Sequence, residues 1–354
     1  VGRVYVEGDD RLVALLPDGR LTSVLKQRAQ PTERPFEPAT ADEMAAALES
    51  QFVGFKIRQT KRYLYAYDTS DEFYKAASRI LETMYPPLFA YAKRHKLGVH
   101  EPLTPLVVLM FRTKEEYQAY RPMPDGVLAY YNTVSNRIVL YQPSELGKAL
   151  PELAFKQAIS TIAHEGVHQI LHNIGVQHRL ADWPMWISEG MADYFAPTDL
   201  GKRFRWKGIG HSNDLRMKGL VSHLDREDAR LNLRELVRAE QLDAVGYARS
   251  WALVHFLSKR YRRDFVEYLQ AVSELQPLEP NTDPGTLFEA SFGNDYPRLE
   301  QELLEHLRTI DYVDPLLNQT HYVVMMQDRQ RRRVVVTASR ERVQALQSAQ
   351  PAQV

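Results

Sequence analysis

Two short stretches of this sequence hold the residues whose types and spacing could do chemistry. The first, ISTIAHEGVHQILHNIG over residues 159–175, sets His164, Glu165 and His168 in an HExxH spacing. On a helix, positions four apart share a face, so two imidazoles can aim at one cation while Glu165 projects beside it. The second, WPMWISEGMADYF over residues 183–195, brings Glu189 twenty-one residues after His168 and Asp193 one turn further on. Either acid alone reads as part of a solvated helix face. Together, flanked by Trp186, Ile187, Met191 and Phe195, they read differently, because an unpaired carboxylate is costly to bury on so apolar a helix. Glu189 can supply a third metal ligand from a neighbouring helix. Asp193 is placed to accept a hydrogen bond from a ligand imidazole and so fix its tautomer. Two nitrogens and one carboxylate oxygen suit zinc, whose catalytic sites keep one position open for water.

Composition narrows the field around this cluster. The 354 residues contain no cysteine, which removes disulfides, thiolate catalysis and every cysteine-based metal site, so any metal must sit on histidine and carboxylate. Forty-five Lys plus Arg balance forty-five Asp plus Glu, and no whole-molecule field draws the chain to nucleic acid or to an anionic membrane. No apolar run approaches the length of a membrane span. The first residues, VGRVYVEGDD, lack the regions of a signal peptide. The chain begins at Val1 rather than Met, which leaves room for a removed leader, and export to the periplasm or the exterior is the expectation. The partner expected is a polypeptide; oligomeric state is not legible.

The elements that must position the cluster are readable in outline. Residues 1–27 alternate short β-rich pieces around Gly8-Asp9-Asp10 and Pro17-Asp18-Gly19, which predicts a small hairpin unit. AQPTERPFEPAT, with three prolines in twelve residues, marks a linker. FKIRQTKRYLYAYDT is β-rich, residues 70–96 have helical spacing, PLVVLMF is a buried-strand run, and VLAYYNTVSNRIVLYQ predicts a hairpin around residues 133–136. Pro151 opens the helix that carries HEGVH and Gly175 stops it; a second helix is expected from about Pro184 to before Pro197. Residues 231–268 and 296–308 read as further amphipathic helices. Near the end, residues 322–326 and 334–337 are strand-like on either side of the run Arg329–Arg333, which reads as a charged turn. The organisation expected is an α+β fold: an N-terminal β unit and linker over 1–40, a catalytic region over 41–312 with an α/β part to 150 and a mainly helical part after it, and a hairpin or tail over 313–354.

HEGVH followed by WISEGMADY resembles the gluzincin branch of zinc peptidases, the thermolysin and M1-aminopeptidase kind, and within it an uncharacterised group of predicted peptidases with a Trp-x-x-Glu-Gly segment. The resemblance spans about residues 125–260. It implies a zincin-like catalytic domain in which His164, His168 and Glu189 bind zinc, Glu165 is the general base and Asp193 supports a zinc histidine. It also implies that the strand Arg137–Tyr141 is the edge strand against which an extended substrate pairs, through Arg137, Val139 and Tyr141. In the same relatives a tyrosine stabilises the oxyanion, and Tyr247, fifty-eight residues after Glu189, lies in the corresponding region. His211, His223 and His255 are lesser candidates for that role. The Gly-x-Met-Glu-Asn segment with which M1 aminopeptidases hold a substrate amino terminus is not visible, which points to an endopeptidase.

Two rival readings stay open on the sequence. One is a non-catalytic binding protein with a structural zinc, against which the unliganded Glu165 argues, since a structural site closes its fourth position with protein. The other is a zinc amidase acting on cell-wall peptide, which shares the metal chemistry.

Overall fold

The structure is a computed structural model that describes residues 1–143, 151–199, 205–227, 229–279, 283–315, 322–327 and 333–338; Arg329–Arg332 of the arginine run lie outside them. The chain opens with an antiparallel three-stranded sheet, β1 (Arg3–Glu7), β2 (Arg11–Leu15) and β3 (Leu21–Leu25). Beyond the proline-rich stretch, Thr40 and Glu43 form a capping box that starts α1 (Ala41–Gln51), a helix not expected from the sequence pattern. β4 (Lys56–Gln59) and β5 (Tyr63–Tyr67) follow, then α2 (Asp71–Arg94), whose first turn is capped by Ser70. Next come β6 (Leu106–Phe111), α3 (Lys114–Tyr120), the hairpin β7 (Ala129–Asn132) and β8 (Arg137–Tyr141), α4 (Pro151–Asn173) and α5 (Met185–Phe195). The two-residue strands β9 (Thr198–Asp199) and β10 (Arg205–Trp206) pair with each other. The remainder is α6 (Asp214–Leu224), α7 (Leu233–Leu236), α8 (Ala244–Arg260), α9 (Arg262–Ser273), α10 (Pro284–Phe292), α11 (Tyr296–Leu307) and the antiparallel pair β11 (Tyr322–Gln327) and β12 (Arg333–Ala338). The fold is mixed α+β, and no helix among the described residues is long and apolar enough to cross a membrane.

The central sheet has the order β4-β5-β6-β8-β7, parallel at β5-β6 and β6-β8 and antiparallel at both ends. Helices cover both faces, which is why β5 (YLYAY) and β6 (LVVLMF) are continuous apolar runs rather than alternating ones. Alternation is still present in where the side chains go. Tyr63, Tyr65, Val108, Met110, Ile138 and Leu140 join the core that holds α2, α4 and α5. Leu64, Ala66, Val107, Leu109, Val139 and Tyr141 join a second core with Met44 and Leu48 of α1 and Tyr117 of α3.

This topology corrects one expectation. β8 lies between β6 and β7 and has no free edge. Arg137, Val139 and Tyr141 are buried, with Arg137 Nη1 donating to Gln51 Oε1 (3.2 Å). At this end of the sheet the edge strand is β7. β8 (RIVLY) is the more apolar of the two hairpin strands, and its parallel pairing with β6, a non-local contact, leaves β7 outside.

Two glycines let helices meet closely behind the motif. A Cβ on Gly166, inside HEGVH, would run into Leu81 of α2. A Cβ on Gly190 would stand 2.6 Å from Ser250 O and from Val254 Cγ2, so α8 lies against α5 backbone to backbone.

Candidate metal centre

α4 carries the site because its inner face is firmly seated. Gln169, fully buried, donates through Nε2 to Val107 O (3.0 Å) and Asn136 O (3.1 Å), which pins the helix to β6 and to the β7-β8 turn. Next to Gln169 in sequence, His168 shares a face with His164 one turn earlier, and their Nε2 atoms lie 3.2 Å apart. α5 enters behind Trp186, which is fully buried against Tyr268 and Phe288. That packing turns Glu189 toward α4, with Oε2 2.9 Å from His164 Nε2 and 3.4 Å from His168 Nε2. His164, His168 and Glu189 form the group of ligand-type side chains that could hold a metal among the described residues.

The donor set and its spacing fit a small divalent cation. Ligand bonds of about 2.0–2.2 Å in tetrahedral array put neighbouring donor atoms roughly 3.3 Å apart, and the three separations here bracket that value. Asp193, itself 2% exposed, accepts from His164 Nδ1 at 3.2 Å, which keeps the proton on Nδ1 and leaves the Nε2 lone pair aimed at the shared point.

Electrostatics agree with that fit. Burial disfavours a charged His164, yet Asp193 and Glu189 outweigh it and push its pKa up to about 10. Burial would also raise Glu189 and Asp193, but His168 and His164 hold Glu189 well below the usual carboxylate range, and Arg216 and His164 hold Asp193 down. The carboxylates thus favour a positive charge at the centre of the cluster, which a divalent cation could supply. Glu165 is different: burial raises it, and Glu189 adds to the rise, against the opposing pull of His164 and His168. A carboxylate raised in this way is a stronger base than a solvated one.

Glu165 Oε2 accepts from Tyr131 N at 2.7 Å. That N–H points off the free edge of β7, and by strand alternation the backbone of Ala129 faces the same way. A cleft of about 360 Å³ opens over these groups, walled by Tyr131, Thr133, Leu180, Trp183, Met185 and Tyr247. Tyr247, at the start of α8, has its ring 6.1 Å from that of His164. Burial, with Glu189 and Glu165 nearby, raises its phenol, so it is a neutral donor at ordinary pH.

The other histidine candidates stand elsewhere. His223 Nε2 meets Arg230 O on the surface, His255 pairs with His306, and His211 lies with that pair. Three contributors escaped the sequence reading: the edge strand β7, Asn213, whose Nδ2 donates to Asp193 Oδ1 (3.3 Å), and Arg216, whose Nε donates to Asp193 Oδ2 (2.8 Å). No local signal marks Arg216, since an arginine on a short surface helix is ordinary. The N-terminal sheet abuts the same region: Leu21 N donates to Val134 O (2.8 Å), and buried Arg179 donates to Gly19 O (2.8 Å) and Thr133 O (3.2 Å).

Residues 158–279, about a third of the chain, match a family described as "Protein of unknown function (DUF1570)". No curated protein matches the sequence. Among solved structures, the chain is similar to the M1 zinc metallopeptidase from Deinococcus radiodurans at 18% identity, covering 72% of this chain and 52% of that one with a TM-score of 0.33. A point mutant of the M1 enzyme from that organism is similar at 15% identity, 73% and 52% coverage and a TM-score of 0.32. A two-domain M1 zinc metallopeptidase mutant bound to L-arginine is similar at 16% identity, 74% and 52% coverage and a TM-score of 0.33. The chain spans about half the length of each of these proteins.

Proposed function

We propose that this chain is a zinc-dependent peptidase of the gluzincin type, holding its metal on His164, His168 and Glu189 and cleaving internal peptide bonds of a polypeptide. The observation that carries the reading is the convergence of two imidazoles and one carboxylate at 2.9–3.4 Å, with a fourth, unliganded acid beside them facing the cleft. When bound, zinc supplies Lewis acidity and lowers the pKa of water from 15.7 toward about 7.

The rest is work for the chain's own groups. An extended substrate adds to the free edge of β7, where the backbone of Ala129 and Tyr131 offers pairing without strict sequence choice. A substrate carbonyl that accepts from Tyr131 N takes the place of Glu165 Oε2 and frees that carboxylate. Glu165 then removes a proton from the attacking water and returns it to the leaving amine, a transfer worth about a hundred- to ten-thousand-fold. The Tyr247 phenol donates to the carbonyl oxygen as negative charge develops on it. Asp193 holds the His164 ring in its metal-facing tautomer.

Glu165→Gln tests the assignment. The variant is expected to bind one equivalent of zinc and to lose turnover of a mixed peptide library by at least about a hundredfold. Normal cleavage by that variant would remove Glu165 as the base. Metal binding with no cleavage of any library member by the wild type would favour the binding-protein alternative.

A further inference from the structure

The side chain of Arg216 touches both arms of the site from a helix that supplies no ligand. Its Nε donates to Asp193 Oδ2 at 2.8 Å, while its guanidinium carbon stands 4.9 Å from the centroid of the Tyr247 ring, in cation–π range. Asp193 and Tyr247 sit on different helices, α5 and α8, so one cation on α6 links them.

We propose that Arg216 is a positioning residue for the metal centre, orienting the Asp193 carboxylate behind His164 and at the same time holding the Tyr247 ring over the cleft; the inference rests on the zinc-peptidase reading above.

Three features separate this contact from an ordinary surface ion pair. The first is burial of the acceptor: Asp193 is 2% exposed, and its two oxygens are divided, Oδ1 serving His164 and Asn213 and Oδ2 serving Arg216. Losing the Oδ2 partner leaves a buried carboxylate free to turn, and the His164 hydrogen bond turns with it. The second is registration of α6 itself. Asn213 caps the helix by accepting from Arg216 N (3.3 Å), and its side-chain amide reaches Asp193 Oδ1 (3.3 Å), so the first turn of α6 is built on the very carboxylate that Arg216 holds. The third is the use of a guanidinium, which donates through Nε to Asp193 while its central carbon stands over the phenol ring; a single ammonium group cannot so readily serve both. Tyr247 lines the cleft wall, and the Arg216 guanidinium over its ring restricts where its hydroxyl points.

The test uses the full chain, with zinc affinity measured by competition against a chromophoric chelator and kcat measured at saturating zinc. Arg216→Met keeps the apolar stem and removes the guanidinium. It is expected to weaken zinc about tenfold, the lower end of what loss of a ligand's outer support costs, and to lower kcat by about tenfold with KM little changed. Arg216→Lys, which keeps the charge near the ring but not the in-plane donor, is expected to regain kcat more than zinc affinity. In an Asp193→Asn background, Arg216→Met should cost no further zinc affinity, and in a Tyr247→Phe background no further kcat. Full additivity in both backgrounds, or wild-type values for both quantities in Arg216→Met, overturns the proposal. If Arg216→Met shows no cooperative melt without metal, Arg216→Gln takes its place in the same cycles. The two layers fail separately: wild-type chain that takes up no zinc, or cleavage that survives Glu165→Gln, sinks the peptidase reading, whereas additive cycles in an active zinc enzyme sink only the role of Arg216.

Discussion

Two buried histidine pairs lie in this fold and meet opposite surroundings. His164 and His168 face each other on α4, Nε2 to Nε2 at 3.2 Å; His255 on α8 and His306 on α11 meet through Nδ1 and Nε2 at 2.9 Å. All four rings are equally buried. The first pair is met by Glu189 and Asp193, and His164 is pushed up to about 10. The second has no carboxylate among its hydrogen-bond partners in the described residues, and burial, His306 and Lys259 pull His255 down to about 4. Hydrogen bonding separates them as well. His255 Nε2 meets Gly210 O at 3.2 Å, so it carries the proton there and its Nδ1 accepts from His306 Nε2, which commits the facing nitrogens to each other. In the first pair the facing nitrogens and Glu189 Oε2 converge on a common point, where a metal ion would displace the proton that the carboxylates hold on His164. Burial and proximity of imidazoles are thus common to both, and the carboxylates are what make one of them a cation site.

Removing those carboxylates is the most severe way to break the contrast. Glu189→Ala should reduce zinc affinity by more than about a hundredfold, because loss of a ligand exceeds the ten- to hundredfold cost of losing an outer partner. Elemental analysis after dialysis reads this directly, and a full equivalent of zinc retained would take Glu189 out of the ligand set. Asp193→Asn is the milder version. With its charge gone but its shape kept, zinc should weaken by roughly ten- to a hundredfold; unchanged affinity in chelator competition would leave Asp193 with no part in holding the His164 tautomer.

The legible part of the site was the part written locally. HEGVH on α4 and SEGMAD on α5 each carry their own period, so the helices and the faces bearing His164, His168, Glu189 and Asp193 follow from spacing alone. What failed was the relation between elements. β8 (RIVLY) is the more apolar strand and β7 (AYYN) the less, a difference that bears on which is buried, but it is the pairing of β8 with β6 that makes β7 the edge. α6 (DLRMKGLVSHL) buries just Met217 and Leu220, too few apolar positions to announce a helix, and so Arg216 went unread. α1 was hidden because its Thr40-Glu43 capping box abuts a proline-rich stretch that reads as linker. Tyr247 came from resemblance, and its place beside His164 depends on Gly190 admitting α8 against α5.

The second pair can be tested through pH. His255 has an ordinary value of 6.5 and a folded value near 4, so on acidification the unfolded chain takes up the proton first. Stability from this group is intact above about pH 6.5 and is lost as pH falls toward 4. Between pH 7 and 5 the loss is about 2 kcal/mol. Urea unfolding of wild type and His255→Gln at each pH isolates it, since other acid-sensitive groups, such as His172, which burial and His168 lower to about 3, contribute to both proteins. The stability difference between the two should be constant above pH 6.5 and shift by about that amount by pH 5. A constant difference throughout would show that His255 is not held neutral by the fold.

Giving the second pair an acid is the smallest and most informative change. Lys259 lowers His255 from an exposed position on the last turn of α8, so Lys259→Glu reverses a charge without touching the core. The ring's NMR titration should move upward and the acid loss of stability should shrink, by less than about 1 kcal/mol because an exposed charge is screened. In 1 M salt, where the Debye length falls to about 3 Å, most of the shift should vanish. No zinc should bind to this variant at the second pair, because Gly210 O and His306 still occupy the His255 nitrogens. Zinc uptake there would mean that a nearby carboxylate suffices, and that the tautomer fixed by Asp193 at the first pair is not what separates the two.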